Sequence, residues 1–373
     1  MKRACSFLLA LALAGPASAQ AGGPWFGADL SFVNEMEDCG AVYRENGARR
    51  DPYEIFKDHG ANLVRIRIWN DADWTRYSNL ADVKKSIRRA RALGMQVLLD
   101  FHYSDTWADG DKQIIPKAWA GIKDQAVLDE ALYRFTFDTL TALDADGLMP
   151  ELVQVGNETN HEILGEADWG ARPINWDRNA SLLNAGIKAV RDAGAKSAIK
   201  PRVMLHIAQP ENVEPWFEAA VKAGVTDFDQ IGVSYYGKWS KYSIVGLGEV
   251  IKRLTKSYPK ADVILVETAY PWTLGYKDEL GNVLGEDSLI EGYPATPDGQ
   301  SRYMTDVTRA VMENGGMGVV YWEPAWVSTN CKTPWGRGSS WENATFFDFN
   351  RRNALLPAID FMRPSPAAGP TKP

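Results

Sequence analysis

The chain alternates short apolar segments with segments of helical periodicity, and eight such pairs follow one another along its length. The apolar segments, each short enough for a buried parallel strand, are residues 25–31, 62–68, 95–101, 152–160, 202–207, 230–235, 262–267 and 317–322, and the apolar run of the fourth stops at Asn157-Glu158. The amphipathic segments that follow them are residues 51–59, 81–93, 124–143, 177–193, 211–223, 250–257, 300–314 and 353–362. No linker interrupts the series, so the pattern predicts one α/β domain over residues 20–363, a (β/α)8 TIM barrel.

Polar and aromatic side chains stand where most of these predicted strands end. The C-terminal ends of the strands form the face on which barrels of this kind bind and react, so these side chains are candidates for a functional site. The residues at the strand ends are Arg67, Trp69, His102, Asn157, Glu158, Tyr235, Tyr236, Glu267, Trp322 and Glu323. Four long insertions, residues 103–121, 159–176, 271–299 and 324–352, fall at the same ends and are expected to wall a cleft.

Glu158 and Glu267 follow the fourth and seventh strands, which lie on roughly opposite sides of an eight-stranded barrel. Two carboxyl groups facing each other across a cleft are what glycosidic bond cleavage requires, one as proton donor and one as nucleophile or base. A separation of about 5–5.5 Å gives retention of anomeric configuration and one of about 6.5–9.5 Å gives inversion, and the sequence leaves this open. Glu323 and Asp29 are interpreted as structural carboxylates.

The two glutamates must titrate differently to play these roles. We expect Arg67 to lie near Glu267 and favour its charged form. We expect Asn157 and a tyrosine of the 235–236 pair to donate hydrogen bonds either to Glu267 or to a substrate hydroxyl. We expect Glu158 to keep its proton in a more apolar setting. Which tyrosine faces the site is not decided by the sequence.

Residues 1–19 have the pattern of a secretory signal peptide. Lys2 and Arg3 precede an apolar run over residues 7–14, and Ala17-Ser18-Ala19 is a small-residue cleavage site. Cleavage there would change the net charge from −7 to −9. We therefore expect a secreted or periplasmic protein, which ends in a Pro-rich tail over residues 364–373.

The acidic balance and the aromatic content restrict the partners. An acidic chain without a basic cluster argues against nucleic acid and membrane surfaces, and indicates a neutral substrate. The 14 tryptophans exceed what a core needs, and flat aromatic rings stack on the C–H faces of sugars. The candidates for such stacking are Trp69, Trp107, Trp272, Trp326 and Trp341, with Trp322 at the end of the last strand.

Two cysteines, Cys39 and Cys331, remain after cleavage of the leader. They fall in the insertions after the first and last strands, which become neighbours when a barrel closes. In an oxidising compartment a disulfide between them is geometrically feasible.

An ordered set of motifs resembles the family 53 glycoside hydrolases, the endo-β-1,4-galactanases, over nearly the whole mature chain. The motifs are Gly27-Ala-Asp-Leu-Ser31, Val64-Arg-Ile-Arg-Ile-Trp-Asn70, His102-Tyr-Ser-Asp-Thr-Trp-Ala-Asp109, Gly156-Asn-Glu158, Glu267-Thr-Ala-Tyr-Pro-Trp272, Tyr321-Trp-Glu-Pro-Ala-Trp326, Gly338-Ser-Ser-Trp-Glu-Asn343 and Phe347-Asp-Phe-Asn350. The resemblance implies Glu158 as acid/base, Glu267 as nucleophile, hydrolysis of β-1,4-galactan with retention, and a monomer. The supporting residues that it implies are Arg67, His102, Asn157, Tyr235 or Tyr236, and Trp322.

The resemblance also raises the question of calcium, which bacterial members can carry between the insertions after strands seven and eight. Asp278, Glu279, Asn282 and Asp287 offer oxygen ligands there. Their spacing is not that of a calcium loop, so an ordinary solvated acidic loop without a cofactor is the favoured interpretation.

Three other functions compete with galactan hydrolysis. A barrel glycosidase acting on mannan, xylan or cellulose would share the two glutamates. A carbohydrate-binding barrel that had lost catalysis would not need both. A metal-dependent hydrolase would need clustered histidines, whereas the four histidines here are scattered along the chain.

Overall fold

A computed structural model describes residues 23–165 and 172–363. The eight predicted strands form one closed parallel barrel in which each strand pairs with its neighbours in sequence and the first pairs with the last. The strands are β1 Trp25–Asp29, β2 Leu63–Ile68, β3 Gln96–Phe101, β4 Leu152–Val155, β5 Arg202–Ala208, β6 Gln230–Ser234, β7 Asp262–Glu267 and β8 Gly318–Tyr321. The predicted (β/α)8 barrel is confirmed.

Helices connect the strands and cover the outside of the barrel. They are α1 Val33–Asp38, α2 Pro52–Asp58, α3 Leu80–Ala92, α4 Gln125–Asp144, α5 Trp176–Lys196, α6 Pro210–Lys222, α7 Ile244–Ser257 and α8 Pro297–Glu313. Most begin at side-chain caps, such as Asn79, whose side chain accepts from the N–H groups of Ala81 and Asp82. Their apolar faces pack with the outward-facing residues of the strands in one large core, as Ile187 of α5 and Val153 of β4 do.

Three details differ from the sequence prediction. Helix α1 lies in the segment between β1 and α2, where no helix was predicted. Helix α7 begins at Ile244 rather than near residue 250, because Ser243 caps a first turn whose glycines weaken the helical pattern. The predicted last helix at residues 353–362 is wrong as an α-helix. The chain there forms a short strand, Ala354–Leu355, and a 3-10 helix, Pro357–Met362, whose leading proline starts the turn.

The barrel interior is built in two layers because strand side chains alternate between inside and outside. The lower layer is apolar and consists of Trp25, Leu63, Leu98, Leu152, Met204, Ile264, Val266 and Val320. Two residues further along β2, β3, β4 and β5 the inward side chains are polar and fully buried: Arg65, Asp100, Gln154 and His206. The two-residue alternation of the strands therefore places apolar side chains at the base of the barrel and charged or polar ones at its upper end.

The residues that leave the barrel at this upper end have an unusual backbone. Non-glycine residues with positive φ lie within three residues of the ends of four strands, namely Tyr103 (φ 48°), Glu158 (φ 43°), Gln209 (φ 63°) and Glu323 (φ 48°). Left-handed conformations are costly for residues with a Cβ and are retained where surrounding contacts over-determine them. The clustering of strained residues at the C-terminal rim indicates that the functional site lies there.

A disulfide joins Cys39 and Cys331, with 5.7 Å between their Cα atoms. The disulfide predicted between these two cysteines is therefore present in the structure. No described helix is both long and apolar enough to cross a lipid bilayer.

Candidate active site

Glu158 and Glu267 face each other across the upper end of the barrel, at the bottom of a cleft of about 1090 Å³. A carboxylate oxygen of each, together with a ring nitrogen of His206, lies within 4.8 Å of the others. Both glutamates are buried, with 8% and 5% of their surfaces exposed. The nearest oxygens of the two carboxyl groups are therefore close together, in agreement with the short separation of a retaining pair.

Arg65, rather than Arg67, holds Glu267. The Arg65 Nη1 lies 2.8 Å from Glu267 Oε1, and the guanidinium also binds Asp29 and Asp100. The expectation for Arg67 is wrong because it lies one inward position above Arg65 on β2. There its guanidinium pairs with Glu323, 3.2 Å away, which confirms the structural interpretation of Glu323.

Tyr236 is the tyrosine that faces the site. Its hydroxyl donates to Glu267 Oε2 at 3.0 Å, whereas the hydroxyl of Tyr235 donates to the carbonyl of Tyr242, away from the cleft. Glu267 therefore receives one charged and one neutral donor, and both favour its ionised form. Tyr235 has a packing role.

Glu158 is held by neutral groups. Ser234 Oγ donates to Glu158 Oε1 at 2.5 Å, and the N–H of Gly110 donates to Oε2 at 3.1 Å. Ser234 is in turn 2.8 Å from His206 Nε2, while Nδ1 of that ring lies 3.3 Å from the N–H of Glu158. Burial lowers the pKa of His206 well below its usual range, so the ring is neutral and its Nε2–H donates to Ser234.

The pKa values of the two glutamates respond differently to these partners. Burial raises the pKa of Glu158 to about 7, against the hydrogen bond from Ser234. Burial raises the pKa of Glu267 well above its ordinary value, the ion pair with Arg65 opposes this rise, and the negative charge of Glu158 adds to it. When Glu158 is protonated its charge no longer acts on Glu267, and the ion pair with Arg65 holds the remaining charge there. The cationic partner at Glu267 and the neutral partners at Glu158 favour the state with the proton on Glu158 and the charge on Glu267.

Asn157 and His102 support this arrangement instead of contacting the carboxylates. Asn157 Oδ1 accepts from Arg65 Nη2 at 2.6 Å and its Nδ2 donates to the carbonyl of Ala108. Of its two predicted partners, Glu267 is therefore wrong, and a substrate hydroxyl stays a prediction. His102 Nε2 lies 3.0 Å from Asp100, the partner of Arg65. Both residues line the cleft, in contact with the strand ends that carry the glutamates.

Arg67 organises aromatic rings. Its guanidinium carbon lies 4.7 Å from the ring centroid of Phe32, 4.6 Å from that of Trp69 and 4.4 Å from that of Trp107. Cation–π contacts are worth about 0.5–1 kcal/mol at exposed sites and about 2 kcal/mol or more when they are desolvated. Arg67 therefore positions Trp107, which lines the cleft, whereas Arg67 itself does not line the cleft.

The tryptophans expected to stack on sugars divide into two groups. Trp107, Trp322, Trp326 and Trp341 line the cleft. Trp69 and Trp272 do not, and these two predictions are wrong. Trp69 is buried beneath the cleft against Trp74 and Arg67, and Trp272 is buried in a small cluster with Phe349 and Leu356.

Sequence reasoning missed four cleft tryptophans, Trp176, Trp216, Trp239 and Trp335. Trp239 and Trp335 are about half exposed, at 47% and 52%. Exposed apolar side chains that form a contiguous patch mark ligand sites, and these two rings lie on the wall of one cleft. Trp239 and Trp335 could have been predicted from the sequence, because they lie in polar segments after β6 and β8.

The four candidate calcium ligands do not form one ligand set. Asp278 accepts from Ser328 Oγ and from the N–H of Ser339, whereas Asp287 pairs with Lys238 at 2.9 Å. Among the described residues, the grouping of metal-ligand types that does converge is Glu158, His206 and Glu267. Both ring nitrogens of His206 are taken by protein partners, so this trio is a poor metal site.

A closed (β/α)8 barrel with two buried carboxyl groups facing each other at the ends of β4 and β7 defines a glycoside hydrolase. The family model described as Glycosyl hydrolase family 53 matches residues 25–362, and the chain belongs to this family. The arabinogalactan endo-β-1,4-galactanase of Cellvibrio japonicus is 56% identical over 340 residues, which cover 91% of this chain and 90% of that protein. The endo-β-1,4-galactanase of Bacillus subtilis is 34% identical, over 87% and 82% of the two chains.

Solved structures give the same result. The family 53 catalytic domain of Ignisphaera aggregans superposes with a TM-score of 0.83 at 31% identity, covering 94% of this chain and 98% of that domain. A fungal β-1,4-galactanase superposes with a TM-score of 0.77 at 28% identity, covering 92% and 100%. The resemblance noted in the sequence is confirmed over the whole barrel.

Proposed function

We propose that the protein is an endo-β-1,4-galactanase that hydrolyses internal bonds of (arabino)galactan with retention of configuration. The observation that carries the mechanism is the asymmetric pair of buried glutamates, with oxygens within 4.8 Å of each other. The substrate assignment is supported by the relatives of known name that cover the whole barrel.

In the first half of the reaction Glu267 attacks the anomeric carbon while Glu158 gives its proton to the departing glycosidic oxygen. Arg65 and Tyr236 keep Glu267 ionised and aimed, because both of its oxygens are held by donors. The pKa of about 7 keeps Glu158 protonated in weakly acidic solution. The products are a covalent glycosyl ester on Glu267 and a free sugar chain.

In the second half Glu158, now ionised, takes a proton from water, which attacks the same anomeric carbon from the side that the leaving group vacated. Two inversions give net retention and return both glutamates to their starting states. The charge that Glu158 carries between the halves is stabilised by Ser234 and the N–H of Gly110.

We further propose that the protein works outside the cytoplasm as a monomer. The leader pattern of residues 1–19 supports the first point, and N-terminal sequencing of protein recovered from the periplasm or medium tests it. Light scattering tests the second. The leader and the tail at 364–373 lie outside the described residues.

Product analysis on a panel of β-linked polysaccharides tests the substrate. We expect oligosaccharides from galactan at early times, released as the β-anomer by NMR, and no release from mannan, xylan or cellulose. Activity confined to one of the other polymers would replace the substrate but keep the mechanism. An α-anomeric product would overturn the mechanism, and a Glu267→Gln variant as active as the wild type would favour a barrel whose glutamates only bind.

A further inference from the structure

A second groove of about 880 Å³ adjoins the catalytic cleft. It lies between the segment after β1 and the insertions after β7 and β8, and its wall shares Leu280 and Trp335 with the cleft. We name it the basic groove after four cations that line it: Arg44, Lys277, Arg337 and Arg352. Its volume is in the range that binds small ligands.

The arginines of the basic groove differ from most arginines of the described residues. Surface arginines of this protein are mostly paired with carboxylates, as Arg253 is with Glu214 and Arg191 is with Asp229. Across the described ranges, by contrast, none of the four groove cations has an ion pair. Arg44 is half-buried, and its Nε has no hydrogen-bond partner among the described atoms. A desolvated guanidinium N–H without a partner is costly, and a bound acceptor would remove that cost.

The carboxylates in the same wall do not neutralise the groove. Asp278 already accepts hydrogen bonds from Ser328, from the N–H of Ser339 and from the N–H of Leu280. Glu279 is the other acid of the lining, so cations outnumber carboxylates here in a protein whose net charge is −7. A local positive region on an acidic molecule attracts anions to that one place.

We propose that the basic groove binds carboxylate groups of an acidic sugar chain, anchoring the enzyme to a uronate-bearing polysaccharide. Guanidinium groups bind carboxylates through paired hydrogen bonds, and three arginines with one lysine provide for more than one carboxylate. Trp335, half exposed on the wall between groove and cleft, offers an aromatic face to a sugar ring passing there. The high negative charge of nucleic acid would instead meet repulsion from the rest of the surface.

This proposal rests on the proposed function only in taking a saccharide as the ligand. It predicts that the groove changes the capture of acidic substrates and leaves bond cleavage unchanged. The groove residues named here are not among those that hold Glu158 or Glu267. A neutral galactan oligosaccharide is therefore a control for catalysis within the same experiment.

The test uses calorimetric titration of the full-length protein with a galacturonic acid oligosaccharide at low and high salt. The variant is Arg337→Gln with Arg352→Gln, since both side chains are exposed and their removal should spare the fold. The matched control is Arg302→Gln, an exposed arginine on α8 without an ion pair among the described residues. We expect binding about three- to tenfold weaker in the double variant, unchanged in Arg302→Gln, and weakened by salt in the wild type.

Kinetics separate this inference from the proposed function. On galactan attached to an acidic backbone, the double variant should have a raised KM and an unchanged kcat, and on neutral galactan oligosaccharides both should be unchanged. No binding of the acidic oligosaccharide, or an equal loss in Arg302→Gln, would overturn the groove. The assignment to a sugar chain would be overturned if inorganic phosphate bound as tightly as the acidic oligosaccharide and displaced it completely. Loss of activity on neutral galactan would contradict the separation of groove and catalytic site.

Discussion

The ends of β4 and β7 carry the same side chain in two different surroundings. Glu158 and Glu267 are both buried, but Glu158 accepts only from a hydroxyl and a peptide N–H, whereas Glu267 accepts from a guanidinium and a phenol. Burial alone would raise both pKa values and leave the roles equivalent. The comparison teaches that the charge of the partner, and not the degree of burial, separates acid from nucleophile.

The largest effect should come from removing the nucleophile. We expect Glu267→Ala to lower kcat by about 10⁴-fold or more, because no other described carboxylate is placed to attack from its side. Added azide should restore part of the activity on an activated aryl galactoside and give a product of inverted configuration, detected by NMR. If azide rescued the reaction with retention, the assignment of Glu267 would be wrong.

Removing the acid should cost less and should depend on the leaving group. We expect Glu158→Gln to lower kcat by about 10²- to 10⁴-fold on galactan, in proportion to the proton transfer that is lost. Nitrophenolate leaves without a proton, so formation of the glycosyl ester from a nitrophenyl glycoside should be nearly unaffected and the ester should accumulate. Mass spectrometry would detect it, and equal losses on both substrates would exchange the roles of the two glutamates.

The same substitution should stabilise the protein in alkaline solution. The pKa of Glu158 in the fold is about 7, above its ordinary value of 4.5, so its contribution to stability is complete below 4.5 and is lost as pH rises through 7. The carboxamide stays neutral, and we expect Glu158→Gln to exceed the wild type at pH 9 by about 3 kcal/mol in unfolding free energy. The difference should shrink towards zero near pH 4.

Urea unfolding at several pH values measures this difference. The control is Glu291→Gln, which changes an exposed glutamate and should leave the pH dependence as it is. A constant offset between Glu158→Gln and the wild type at every pH would mean that folding does not change the pKa of Glu158.

The smallest effects should come from the neutral donors, and they should move opposite limbs of the pH profile. Ser234→Ala removes a donor that lowers the pKa of Glu158, so the alkaline limb of kcat/KM should move up by about one pH unit. Tyr236→Phe removes a donor to ionised Glu267, so the acid limb should move up instead.

Ser234→Thr keeps the hydroxyl and serves as the rescue control for the first of these variants. A purely structural role for Ser234 would lower activity at all pH values without moving either limb. If Ser234→Ala and Tyr236→Phe moved the same limb of the pH profile, the assignment of Glu158 as acid and Glu267 as nucleophile would be contradicted.

The barrel and its two glutamates could be predicted from the sequence because both rest on local patterns. Strand periodicity and the rule that function lies where strands end need only the order of residues. The partner of Glu267 could not be predicted in this way. Arg65 and Arg67 both point inward from β2, and which one reaches β7 depends on the tilt and stagger of the closed sheet.

The aromatic walls were the least predictable part for a similar reason. Trp272 lies five residues after Glu267 but turns into the core against Phe349, whereas Trp335 comes from far along the chain and reaches the cleft. Long insertions fold back through contacts between distant residues, and no local pattern encodes their path. Helix α7 was partly missed because Gly246 and Gly248 weaken the helical signal of its first turns.

The bond between Cys39 and Cys331 has a consequence for how the molecule would break. It turns the 292-residue interval between the two cysteines into a covalent ring that contains both glutamates and nearly every unit of the barrel. A protease that cut the backbone once inside that ring would open it without releasing a fragment. The nicked molecule would migrate as one band on a gel until a reductant separated the two pieces.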